Sequence, residues 1–169
     1  MGKITLSELN FTLNSTVANF PIKKIISGGQ TGVDRAALDV AIALKIPHGG
    51  YCPKKRKAED GIIPLHYHLQ ETDSSDYTER TQKNVLAADG TLIILQKPPS
   101  GGTLLTINTA RQCKKPCLIV DLSKEPFIGN IAAWINKHYI QILNIAGPRE
   151  SQNPGIYRLT YDLLLALLQ

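Results

Sequence analysis

The sequence predicts a three-layer α/β fold: a doubly wound, mostly parallel sheet with helices on both faces. Three observations carry that prediction. From residue 22 onward, short apolar runs alternate with longer stretches of helical period, and such alternation builds parallel sheets. The apolar runs are continuous, as in strands buried on both faces. Glycine-rich turns stand where strands pass into helices, where open parallel sheets bind their ligands.

The elements follow in order. Residues 1–20 are polar without a clear period and are expected to form an N-terminal extension; residues 21–169 are expected to form one domain, a length that can bury a full core. Ile22 to Ile26 reads as a central strand, cut off by Ser27-Gly28-Gly29. Val33, Ala36, Ala37, Val40, Ala41 and Leu44 recur at helical spacing, and Pro47 ends that helix. His48 to Cys52 is a weak strand. Pro53 to Ser75 is irregular and charged, longer than a passive connection. Asp76 is placed to cap a helix to about Ala88. Strands are expected at Thr91–Gln96, Cys117–Asp121 and Ile140–Ile145, with helices from the 98–103 turn to about Cys113 and over Pro126–His138. Asn153 as cap and Pro154 at the first helical position would open the last helix.

That last helix is apolar nearly all round, with Leu159, Leu163, Leu164, Leu165, Ala166, Leu167 and Leu168. Its second apolar face would bury itself in a groove of its own domain or between subunits; the expectation is a homo-oligomer, dimer or tetramer. No apolar run is long enough to span a bilayer and no signal peptide precedes the fold, so a cytoplasmic location is expected. Cys52, Cys113 and Cys117 lack the paired spacing of a zinc site and are expected as reduced, buried thiols.

The candidate site is built from three turns at strand–helix junctions: Ser27 to Asp34, Ser100 to Thr103, and Gly147 to Ser151. A glycine turn opening a helix aims unpaired N–H groups and the positive end of the helix dipole at one point, a ready anion site. Ser27, Gly28, Gly29, Gln30, Thr31 and Gly32 are the candidates of the first turn, with Asp34 as a capping residue. Ser100, Gly101, Gly102 and Thr103 form the second, and Glu150 and Ser151 close the third. Arg35, Lys54, Arg56, Arg80 and Arg149 are candidate flanking cations, and Glu59 a nearby carboxylate. The net charge of +5 suits an anionic ligand. No catalytic triad, nucleophile elbow, Walker loop or side-chain metal cluster is visible, and His66 and His68 lack a third ligand. The basic run Lys54 to Lys57 has no interleaved aromatics, which argues against a nucleic-acid partner.

Several blocks in order resemble the bacterial molybdenum carrier family. They are Ser27-Gly28-Gly29-Gln30-Thr31-Gly32-Val33-Asp34-Arg35, then Cys52-Pro53-Lys54 with Arg56 to Gly61, then Glu79-Arg80-Thr81, Gly101-Gly102-Thr103, and Ala146 to Ser151 with Pro154-Gly155-Ile156-Tyr157. The resemblance implies a Rossmann-like fold related to lysine-decarboxylase-like phosphoribohydrolases. It also implies that the chain binds, protects and delivers molybdenum cofactor (molybdopterin), or holds a molybdate- or tungstate-type oxyanion, with an apo-molybdoenzyme as recipient. A carrier needs no catalytic residue, and no direct side-chain ligand to the metal is expected. Two other readings stay open: a nucleotide-binding sensor, and a nucleotide phosphoribohydrolase. The hydrolases carry a Glu three positions after the Thr of their glycine motif, where this chain has Thr106; Glu59 or Glu79 would have to replace it.

Overall fold

A computed structural model describes residues 22–169; the expected extension over residues 1–20 lies outside the described residues. The first half runs β1 (Lys24–Ile26), α1 (Val33–Ala43), β2 (His48–Gly49), β3 (Tyr51–Cys52), a 3-10 turn at Lys54–Arg56, β4 (Lys57–Ala58), β5 (Gly61–Ile62), β6 (Gln70–Glu71) and α2 (Tyr77–Ala87). The second half runs β7 (Gly90–Leu95), α3 (Gly101–Gln112), β8 (Cys117–Asp121), α4 (Ile128–Lys137), β9 (Ile142–Ala146) and α5 (Ile156–Leu168).

Five strands form one wholly parallel sheet in the order β2-β1-β9-β7-β8. Helices α1, α4 and α5 pack together, and α2 packs with α3, giving the three-layer doubly wound architecture. The order has a simple reading. Counted from β9 as the first strand, it becomes 3-2-1-4-5, the order of doubly wound nucleotide-binding sheets. The chain is thus a permutation of that fold, with the first strand moved to the end. The switch point, where ligands bind, falls between β9 and β7.

The core follows from the residue pattern. Ile25, Leu92, Ile94, Leu143 and Ile145 are buried strand residues. α1 lays Val33, Ala37, Val40 and Ala41 on that core, and α5 adds Ile156, Leu163, Leu164 and Leu167. A groove of the same domain therefore takes the main stripe of the last helix, while Leu159 stays 44% exposed. Asp76 caps α2 as expected, its Oδ1 accepting from Thr78 N–H at 3.0 Å.

The start of α5 corrects the expectation. Asn153 is not its cap and Pro154 is not its first residue; the helix begins at Ile156, with Gly155 as N-cap at φ 89°. The Glu150 carboxylate accepts from Gly155 N–H at 2.5 Å and from Tyr157 N–H at 3.0 Å. A carboxylate over two free N–H groups and the positive helix end does a cap's work from outside the helix.

The charged stretch after β2 is also more ordered than its sequence suggests. β3 pairs with β6 and β4 with β5, and Cys52, Ala58, Ile63 and Tyr67 pack on Leu38 of α1 as a small second core. Cys52 is buried as expected, Cys117 is half-buried, and Cys113 is exposed because it ends α3 at the surface.

Candidate functional site

The three turns meet at the carboxyl ends of β1, β9 and β7. The first turn packs on the third so closely that Gly32 is obligatory. Its φ is 77°, and an added Cβ would lie 2.5 Å from the Pro148 carbonyl oxygen. Thr31 links the same turns, accepting from Glu150 N–H at 3.1 Å. Where they join, a narrow cleft of about 30 Å³ is lined by Gln30, Asp34, Arg80, Gly102, Thr103, Gly147, Arg149 and Gln152. On the same measure a water needs about 10–15 Å³, so the cleft takes a group of a few atoms. A larger pocket of about 270 Å³ adjoins it, and Thr103 and Gln152 line both.

Several amides of the first turn are taken up by protein. Its Gln30 N–H donates to Asp34 Oδ2 at 3.2 Å, Thr31 N–H to Gln30 Oε1 at 3.0 Å, and Val33 N–H to the Pro148 carbonyl at 3.3 Å. The amino end of α1 is therefore partly closed by protein. Gln30 turns this to use. Its Oε1 accepts from Thr31 N–H and, at 2.9 Å, from Glu59 N–H. Both bonds fix the amide orientation; Nε2 is buried and without a partner, and Gln30 lines the cleft.

Arg80 is the second donor. It reaches from α2 to pair with Asp34 at 3.2 Å, and a Cβ on Gly28 would collide with its guanidinium. Gly28 thus makes room for a cation above the turn. Arg80 Nε is buried and unpartnered. Asp34 is 2% exposed, and burial pushes its carboxyl above the usual range although Arg80 pulls it down. Arg149 and Lys57 gather with Arg80 around the Tyr77 ring, at 5.7, 5.7 and 5.5 Å from its centroid. Of these three cations, Arg80 and Arg149 also line the cleft, facing the Asp34 and Glu59 carboxylates.

The second turn presents the open helix end. Gly101 and Gly102 are exposed with nothing within 4 Å of where a Cβ would stand. Ser100 caps α3 without a side-chain bond. The amino end of α3 is open at Gly101 and Gly102, while Thr103 and Leu104 N–H donate to the Ser100 carbonyl at 3.1 and 3.3 Å.

The other expected site residues have different occupations. Ser27 is buried and donates to the Ile145 carbonyl at 2.7 Å, tying β1 to β9. Arg35 donates to the Gly29 carbonyl at 2.9 Å and forms a forked pair with Asp60 at 2.8 and 2.9 Å. Lys54 is exposed and lines neither cavity. Arg56 is corrected from ligand cation to structural post. It is buried, and its guanidinium donates to the carbonyls of Ile63, Pro64, Tyr67 and Leu69 at 2.8–3.1 Å. The Glu150 carboxylate caps α5. Glu59 accepts from Thr31 and Ser151 hydroxyls and lies 3.8 Å from Arg149. Burial pushes its carboxyl up, but those hydroxyls and Arg149 outweigh burial and hold it below its ordinary value. Glu79 pairs with Lys83 at 3.0 Å. His68 stacks on His48, 4.7 Å between centroids. Among the described residues no group of three metal-ligating side chains occurs.

Gln152, Thr106, Tyr77 and Asn153 are contributors that the sequence reading did not name for the site. Gln152 and Asn153 directly follow the third turn, which is the signal that could have found them. Nothing in the sequence brings Tyr77 beside Arg80 and Arg149.

The fold and cleft define a class: a Rossmann-like α/β domain with a polar cleft at its switch point. Residues 25–168 match the circularly permutated YpsA SLOG family, and the chain belongs to it. A crystal structure from Syntrophus aciditrophicus SB, described as "Putative molybdenum carrier protein", is similar over 88% of this chain and 96% of that one, with 53% identity and a TM-score of 0.86. No curated protein matches the chain. No helix among the described residues is long and apolar enough to cross a membrane.

Proposed function

We propose that the cleft binds an anionic small molecule and that the chain is a carrier for a molybdenum-bearing anion, either molybdate or the molybdenum cofactor. One observation carries the binding reading: the buried, unpartnered side-chain atoms at the cleft, Gln30 Nε2 and Arg80 Nε, are both N–H donors. A buried donor without a partner is costly, and a guest rich in acceptor oxygens relieves it. The open amino end of α3 and the cations around Tyr77 act in the same sense. Molybdate and tungstate are tetrahedral dianions close to phosphate in shape and fit such donors. The carrier reading draws on the name of the similar Syntrophus protein. It is compatible with the carboxylates, since Asp34 is held by Arg80, Glu59 by hydroxyls and Arg149, and Glu79 by Lys83. Delivery to an apo-molybdoenzyme, in the cytoplasm and from a homo-oligomer, completes the proposal.

The test is calorimetric titration with tungstate and molybdate, beside metal and oxidised-pterin analysis of the protein purified from its own host. Arg80→Met removes a charge-assisted bond, and binding is expected to weaken about 10- to 100-fold. Absence of oxyanion binding in the unsubstituted protein overturns the binding reading. A bound nucleotide without molybdenum in the purified protein overturns the carrier reading in favour of a nucleotide sensor.

A further inference from the structure

An imidazole holds the end of the charged stretch to the sheet. His48 on β2 accepts from His68 N–H through Nε2 at 3.2 Å, and its ring stacks on that of His68, 4.7 Å between centroids and 15° between planes. A neutral imidazole has one acceptor nitrogen; a protonated one has none. We propose that His48 is an acid-sensitive clasp: neutral, it fastens residues 66–68 to β2, and protonated, it releases them, because Nε2–H then faces the His68 N–H. A proton on His68 as well sets like charges across the stack.

The titratable and charged groups around His48 are His66 and His68 from the charged stretch and Lys24 from β1. Lys24 crosses the strand beside it, with Cε and Nζ 3.0 and 3.2 Å from where a Cβ on Gly49 would stand. α1, which packs on β2, turns the apolar Ala37, Val40 and Ala41 to the core. Burial first, then the charges of His68, His66 and Lys24, hold the His48 imidazole below its ordinary value, although a hydrogen bond to the His66 backbone pulls it up. With the folded value depressed, the clasp is fully formed above the unfolded value, about 6.5, and is lost as pH falls from there through the folded one.

The release is local, because the Arg56 guanidinium still holds the carbonyls of Pro64, Tyr67 and Leu69. It nevertheless reaches the cleft. A Cβ on Gly29 would lie 2.5 Å from Leu69 Cδ1 and 3.1 Å from Ile63 Cδ1, so these side chains press on the turn that carries Gln30 and its free Nε2. Acid loosens that packing and weakens the hold on a guest. This last step rests on the anion reading of the cleft; the clasp itself does not.

The test is amide hydrogen exchange of the intact protein at pH 7.5 and 5.5, corrected for the intrinsic rate, beside His48→Gln, whose side-chain oxygen still accepts from His68 N–H but does not titrate. In the parent, protection of residues 66–69 relative to residues 53–62 is expected to fall at least about threefold at the lower pH, and in His48→Gln to stay within about twofold. No fall in the parent, or an equal fall in both, overturns the clasp. NMR titration of the His48 ring in the parent needs no substitution; a value at or above about 6.5 overturns the clasp as well. Sulfate, a dianion at both pH values, reports on the cleft. Its affinity is expected to fall at least about threefold more in the parent than in His48→Gln, and an equal change overturns the link to the cleft. Absence of sulfate binding at either pH counts against the anion reading, while exchange and the ring titration still decide the clasp.

Discussion

Arg80→Met removes the cation that compensates Asp34, and the structure sets the size of the effect. The two groups are 3.2 Å apart, with side chains 13% and 3% exposed. At that separation the direct attraction is about 5 kcal/mol at an effective dielectric constant of about 20. Breaking a buried pair by removing one partner costs about 3–5 kcal/mol, because the other charge stays buried alone. For a domain of this size each kcal/mol moves the thermal midpoint by about 2–4 °C, so a fall of about 6–20 °C is expected. Asp34→Asn in the same chain removes the stranded charge while still accepting from Gln30 N–H. The double variant should therefore recover at least about 2 kcal/mol relative to additivity. The sign with pH is fixed. The Asp34 carboxyl is already raised by burial, and without Arg80 it rises further. A carboxyl with a raised folded value binds its proton more tightly in the folded state, so stability is lost as pH rises from the unfolded value, about 3.9, toward the folded one. The deficit of Arg80→Met should accordingly shrink as pH is lowered from 8 to 5. Urea unfolding of the four proteins of the cycle at both pH values supplies every number. A coupling below about 0.5 kcal/mol, or a deficit that does not change with pH, would refute the reasoning.

Two further predictions separate the turns and test the tether of the charged stretch. Gly32→Ala must occupy a positive-φ position against the Pro148 carbonyl and should destabilise by about 2–3 kcal/mol in urea unfolding, whereas Gly102→Ala meets nothing within 4 Å, should stay within about 1 kcal/mol of the parent, and should weaken tungstate binding. Glu59 and Asp60 are both held below their ordinary values, so their stabilisation is complete above the unfolded carboxylate range, about 3.9–4.3, and is lost as pH falls through the lower folded values; hydrogen exchange of residues 53–75 should show protection above pH 5 and its loss near pH 3.

Much of this was readable in advance. The strand–turn–helix at Ile25 to Val40 and the Asp76 cap follow from periodicity and local chemistry, and both stand where expected. The strand order did not follow, because β9 pairs with β1 and β7 across long stretches of chain and no local pattern encodes such pairing. The two-residue strands β3 to β6 are too short to show a period. Arg56 was expected as a flanking cation because a basic run after a strand reads as free to meet an anion, yet its guanidinium finds four carbonyls in the fold around it. The three turns were legible as a group. Which of their donors stay free was not, since that depends on Gln30 bonding backbone from two segments at once.

The central place of β9 also governs when the molecule can come into being. Lys24 waits for Ile142, and Gly90 for Leu143, so the two halves of the sheet have no strand between them until the ribosome has passed β9. Synthesis runs at about 5–20 residues per second, and for most of that interval β1 and β7 offer bare edges. β9, the last strand of the sheet to emerge, closes the gap and carries the turn that completes the cleft.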